Sequence, residues 1–114
     1  MESILTSIKK LLGIPEDYEQ FDQDIIMHIN SVCMILSQLG VGPKDGYSIN
    51  GKDNTWNEFI SDNKLLEAVK SYMYLKVRLL FDPPTSSALI ESANRMINEF
   101  EWRINVIVDN NKTE

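Results

Sequence analysis

The two residue types most often recruited for nucleophilic and general-base work each occur once in this chain, as Cys33 and His28. A thiol is activated when an imidazole lies within hydrogen-bond reach of it. On a helix, residues five positions apart point about 140° away from each other at 100° per residue. Cys33 and His28 therefore make a poor dyad, and Cys33 falls on an apolar stripe where a small, soft side chain belongs to the core. The acid-rich run Glu16, Asp17, Glu19, Asp22 and Asp24 offers oxygen ligands for a metal. Most of it also precedes a long apolar pattern, and carboxylates there favour the positive end of a helix dipole. A solvated, well-capped helix start is the simpler reading. Asp45-Gly46 and Asp53-Asn54 lack the EF-hand spacing, and Gly40, Gly42 and Gly46 do not fall at a dinucleotide-binding spacing. No H-x-x-x-H, C-x-x-C, G-x-S-x-G or Walker-type loop occurs. The expectation is a protein that is no enzyme, with no catalytic residue, cofactor or metal site.

Composition sets further bounds. Hydrophobic residues make up 43% of 114 residues and charged residues 25%, which suits one folded domain with a modest core. That domain is expected over 1–108, with a polar, frayed tail over 109–114. Net charge is −6, and Lys9–Lys10 is the nearest approach to a basic cluster. A protein that grips nucleic acid needs a basic face to displace counterions from phosphates, and none is visible. A single cysteine leaves no intramolecular disulfide, which fits a reducing compartment. The opening MESILTSIKKLLG has no basic n-region before its apolar residues, so no signal peptide is expected. No apolar run approaches the roughly 20 residues of a membrane span.

The elements that would position any function are helical. Ile4, Leu5, Ile8, Leu11 and Leu12 share a face over Ser3 to Leu12, and Gly13 with Pro15 stops that helix. A second helix is expected from about Asp22 to Leu39, burying Ile25, Ile29, Val32, Cys33, Leu36 and Leu39, with Gly40 as its end. Val41 to Asn54 breaks the pattern with turn formers, as a loop or as a small β-hairpin turning at Asn50-Gly51. Thr55-Trp56-Asn57-Glu58 has capping-box spacing and predicts one helical turn to about Ile60, with Trp56 and Phe59 over the core. A third helix spans about Asn63 to Phe81 and stops at Asp82-Pro83-Pro84. Its stripe is Leu65, Leu66, Val69, Met73, Lys76 or Val77, and Leu80. A fourth runs from Ser86 or Ser87 to about Val108, with Leu89, Ala93, Met96, Ile97, Phe100, Ile104 and Ile107 on one face. The fold class is therefore all-α, a small bundle of four main helices with an excursion between helices two and three. Ile29, Leu36, Leu66, Val69, Met73, Met96 and Phe100 are expected to be buried.

Three strings can be weighed together. They are an opening helix closing in Leu11-Leu12-Gly13-Ile14, then Asp22-x-Asp24-Ile25-Ile26-x-x-Ile29-Asn30-Ser31-Val32 before a Gly-rich break, then Tyr74-Leu75-Lys76-Val77-Arg78-Leu79-Leu80-Phe81-Asp82-Pro83-Pro84 leading to Phe100-Glu101-Trp102-Arg103-Ile104. From about Ile4 to Val106 this order resembles the head–tail connector (adaptor) proteins of siphophages, also found in prophages of Gram-positive bacteria. The stretch Tyr74–Pro84 is the most specific part. The resemblance implies a structural virion protein at the head–tail junction, assembled in the host cytoplasm. Such subunits form a homo-oligomeric ring under the portal protein, extend the DNA exit channel and offer a platform to the next neck, stopper or tail protein. DNA would pass through without specific binding, and no membrane is involved. An acidic balance suits a channel in which phosphates must slide.

Two partner-binding segments follow as expectations. The excursion is long and Gly-rich, so Tyr47 and Ile49 are candidates for the neck or tail side. Ile104, Val106, Ile107 and Val108 crowd a chain end with more apolar surface than one stripe buries. Either the last helix packs on two sides or this segment is exposed and orders against a partner; the resemblance favours the portal. The alternative function is a small acidic phage-encoded regulatory or inhibitory binding protein.

Overall fold

Helix boundaries follow from local chemistry in the computed structural model, which describes residues 2–112. These residues form five helices: α1 Ile4–Leu11, α2 Asp22–Gln38, α3 Trp56–Phe59, α4 Asn63–Phe81 and α5 Ser87–Lys112. Ser3 caps α1 by accepting from the Thr6 N–H at 3.2 Å. Helix α2 has no side-chain cap, and Asp22 and Asp24 in its first turn complement the dipole instead. Thr55 and Glu58 close the expected capping box on α3, with the Thr55 N–H donating to Glu58 Oε1 at 3.0 Å. Asp62 caps α4, accepting from Lys64 N at 2.9 Å and Leu65 N at 3.4 Å. Asp82 ends α4 out of the helical region, as a residue before proline must.

Helix α4 is the middle of the packing. It lies against α5 on one side and α2 on another, and α1 rests on α2. The molecule is flat, with extents of 43 × 35 × 20 Å. Ile25, Ile29, Val32, Cys33 and Leu36 of α2 meet Val69, Met73 and Val77 of α4, and Ile4, Leu5 and Ile8 close one edge. Gly40 follows α2 at φ +90°, and Val108 Cγ1 sits 3.0 Å from where a Cβ would be, so the glycine admits both the turn and the end of α5.

Four expected core positions are fully buried: Ile29, Leu36, Val69 and Met73. Leu66 and Phe100 are only partly buried. Met96 is 46% exposed, and Leu11, Leu80 and Leu89 also face out. On α5 the buried line is Ile97, Ile104 and Val108, flanked by Ile90, Ala93 and Phe100. The apolar residues of α5 cover more than one stripe, and α4 fixes which part is used: Tyr72 donates to Glu101 Oε2 at 2.8 Å, drawing the contact line past Met96. Helix α5 also continues to Lys112 instead of stopping at Val108, so 109–112 are helical; 113–114 lie outside the described residues.

Cys33 is fully covered, and burial pushes its thiol up to about 12. An ordinary free thiol, with a pKa of about 8.5, is partly thiolate at pH 8. Cys33 stays protonated there and is expected to react with a maleimide only when the chain unfolds. Labelling rates with and without guanidinium check this; native labelling at the free-thiol rate would mean α2 is rotated.

Candidate docking surfaces

The excursion between α2 and α3 is a pinned loop, and no strand forms among the described residues; the nearest thing to pairing is an isolated bridge between Ser3 and Thr55. Asn30 clamps the loop at two points. Its Nδ2 donates to Ile49 O at 3.0 Å and its Oδ1 accepts from Ile49 N at 2.8 Å. Ile49 is consequently 3% exposed, a core anchor. Tyr47 stacks on Phe59 with ring centroids 4.8 Å apart and donates to Glu58 Oε1 at 3.0 Å. Burial, then the Glu58 carboxylate, push the Tyr47 hydroxyl up to about 12. The Asn30 clamp turns Ile49 into the core, whereas Tyr47, held by the Phe59 stack, stays half-buried and lines a surface hollow with Met34 and Asp45. Its exposed parts are the turns at Pro43–Asp45 and at Lys52-Asp53.

The C-terminal candidates also divide. Ile104 and Val108, one helical turn apart, are buried under the bundle. Asn111 Nδ2 donates to Asp62 Oδ2 at 3.2 Å, and that bond is the main reason the Asp62 carboxyl lies below its usual range. The segment is thus helical and bound to its own domain, against the expectation of an exposed or frayed end. Val106 is exposed and Ile107 half-buried, and both open sideways into a groove between α4 and α5.

The acid-rich run is organised by a cation. Lys9 is buried on α1 and spends its ammonium on Glu16 O at 2.9 Å, Tyr18 O at 2.7 Å and Asp22 Oδ1 at 2.8 Å. Among the described residues no group of three His, Cys, Asp or Glu side chains could hold a metal ion. His28 lies against the Phe81 ring at 6.4 Å and Cys33 is sealed in the core, so the two are not brought together for chemistry.

The surface features the sequence reading missed are apolar and solvent-facing. Met27 and Met34 of α2 are 58% and 61% exposed, and Trp102 of α5 is 65% exposed. The signal was present. Two methionines seven apart on the otherwise polar face of α2, and a tryptophan between Glu101 and Arg103, are out of place on a solvated helix. The α4/α5 groove continues from Trp102 and Val106 past Phe100 to Leu75, Met96 and Leu11. None of the described helices is long and apolar enough to cross a membrane.

A flat helical subunit with sealed polar chemistry and unburied apolar side chains on more than one side is the profile of an assembly component. The family comparison agrees. The model of the phage connector protein family matches residues 4–111, nearly the whole chain, and the chain belongs to that family. Its role is therefore structural, at the junction of phage head and tail. Searches of curated proteins and of solved structures returned no match.

Proposed function

We propose that this chain is the repeating subunit of a ring that docks beneath the portal, extends the DNA exit channel and receives the next neck or tail protein. The observation that carries the reading is the presence of two separate apolar faces, Met27/Met34 on α2 and the groove beside Trp102 on α5. A closed ring uses one face of each subunit against a different face of the next, so it needs two such surfaces. Val106 and Ile107 face the groove side, which suits a neighbouring subunit better than the portal. The neck or tail contact is assigned to the exposed turns beside Tyr47. The net charge of −6 suits a lumen that does not hold DNA phosphates.

The test uses a phage lacking this reading frame. DNA-filled heads without tails should accumulate, and the full-length chain supplied in trans should restore tailed particles. Mixed with purified portal, the chain should add a ring visible by electron microscopy. Normal tailed particles without the chain would overturn the reading.

A further inference from the structure

We infer that neighbouring copies join by seating the Met27–Met34 ridge of one subunit in the α4/α5 groove of the next. This rests on the ring reading above and names the two faces that would meet.

The ridge and the groove point in opposite directions. Met27, Ser31 and Met34 lie on the side of α2 away from its buried line of Ile25, Ile29, Val32 and Leu36. The floor of the groove includes Ala68, Ser71 and Leu75 of α4. Ser71 is two residues from the buried Met73, about 160° around the helix from it. Because the cores of α2 and α4 face each other, the groove opens on one flank and the ridge projects from the other. Faces on opposite flanks let each subunit follow the last with little rotation, as in a ring of many copies.

The shapes correspond. The groove is two hollows that share Ser71 and Phe100. One lies toward Leu11 and Met96, the other toward Trp102 and Val106. Their linings on α4 are centred about five residues apart, which is roughly 7–8 Å at the helical rise. Met27 and Met34 are seven residues apart, roughly 10 Å along α2. Unbranched methionine side chains bend to make up such a difference, and a helix laid in an apolar groove is a common mode of recognition.

Charge agrees with shape. The lips of the groove carry Lys64, Lys70 and Arg103, with Glu67 among them, in a chain that is acidic overall. Lys70 is near Glu2 at 3.9 Å, Arg103 is paired with Glu99, and Lys64 interacts with the Asp62 carboxylate. The ridge is flanked by Asp24 one turn before Met27 and by Asp45, which lies across a hollow from Met34. The groove lining carries three cations to one carboxylate and the ridge is flanked by two carboxylates, a difference that favours this pairing over ridge on ridge.

The test exploits the two midpoints, because Ser31 lies between the methionines and Ser71 between the hollows, whichever way the ridge runs. The full-length double variant Ser31→Cys/Ser71→Cys is treated with a short bis-maleimide, alone and with portal, and viewed by electron microscopy. Buried Cys33 should not interfere, and wild type is the control. A ladder of covalent multimers is expected. Each single variant should give no dimer, and an equal mixture of the two should stop at dimers. Adding Ala68→Glu, which puts a charge in one hollow, should cut the ladder roughly tenfold or more while helical circular dichroism is unchanged. Dimers of Ser31→Cys alone would overturn the pairing in favour of ridge on ridge. Rings without a ladder would overturn the pairing and leave the ring. Absence of rings with and without portal would overturn the ring reading, and the pairing with it.

Discussion

Replacing Trp56 with alanine is expected to destabilise the subunit by about 3–5 kcal/mol, the range for removing a fully buried large aromatic. Trp56 is 1% exposed and is the largest side chain in the sealed core. Its ring also closes a polar seam. Nε1 donates to Ser7 Oγ at 3.0 Å, and that hydroxyl in turn faces Ser3 O at 2.6 Å and the Glu2 carboxylate. On the ring face, Lys70 Nζ lies 5.6 Å from the centroid. Domains of this size are stable by only about 5–15 kcal/mol, so the loss should appear as a fall of roughly 10–20 °C in Tm. Trp56→Phe keeps most of the volume and removes the N–H donor, and should cost about 1–2 kcal/mol. Calorimetry of the two variants separates packing from hydrogen bonding. An alanine variant melting within a few degrees of wild type would mean that α3 does not close over the core.

Replacing Lys9 with methionine should cost a similar amount, about 3–5 kcal/mol, for a different reason. Methionine fills the same channel, so little packing is lost. What remains is two backbone carbonyls, Glu16 O and Tyr18 O, and the Asp22 carboxylate, all deprived of the ammonium that satisfied them. Removing one partner of a buried pair leaves the other's desolvation uncompensated. Asp22 keeps some access to water, at 22% side-chain exposure, so Asp22→Asn should be milder than Lys9→Met. The double variant should cost less than the sum of the singles, since each removes the same interaction. Chemical denaturation of all three measures this coupling; strict additivity would show that the pair is energetically independent.

Much of the bundle was legible because its signals are local. Ser3, Gly13, Gly40, Thr55-x-x-Glu58 and Asp82-Pro83-Pro84 mark helix ends by chemistry acting within one turn, and each did so. Tertiary choices were less legible. Met96 and Ile97 are adjacent and both apolar, and only the placement of α4, fixed through Tyr72 and Glu101, decides that Ile97 turns in. Ile49 reads as a lone apolar residue in a polar loop until Asn30, 19 residues away, clamps its backbone. Lysine is among the residues least often buried, so nothing in the sequence marked Lys9 as the centre of the acidic segment. On the candidate surfaces, Ile104 and Val108 turn into the core while Val106 and Ile107 border the groove, and Met27, Met34 and Trp102 lie off the apolar stripes that periodicity reveals.

The tie between the amino end and the middle of the chain has a consequence for synthesis on the ribosome. Helix α1 is fastened where Ile4 N donates to Asn54 O at 3.0 Å, Trp56 N donates to Glu2 O at 3.2 Å, and Trp56 covers Ser7. A helix of eight residues is too short to persist alone in water. Helix α2 and the Lys9 partners follow sooner, but the Asn54 and Trp56 tie is translated some fifty residues later, roughly 3–10 s at ordinary elongation rates. During that interval Ile4, Leu5 and Ile8 lack the cover that α3 supplies, and chaperone or nascent-chain contact with residues 4–12 should be strongest then.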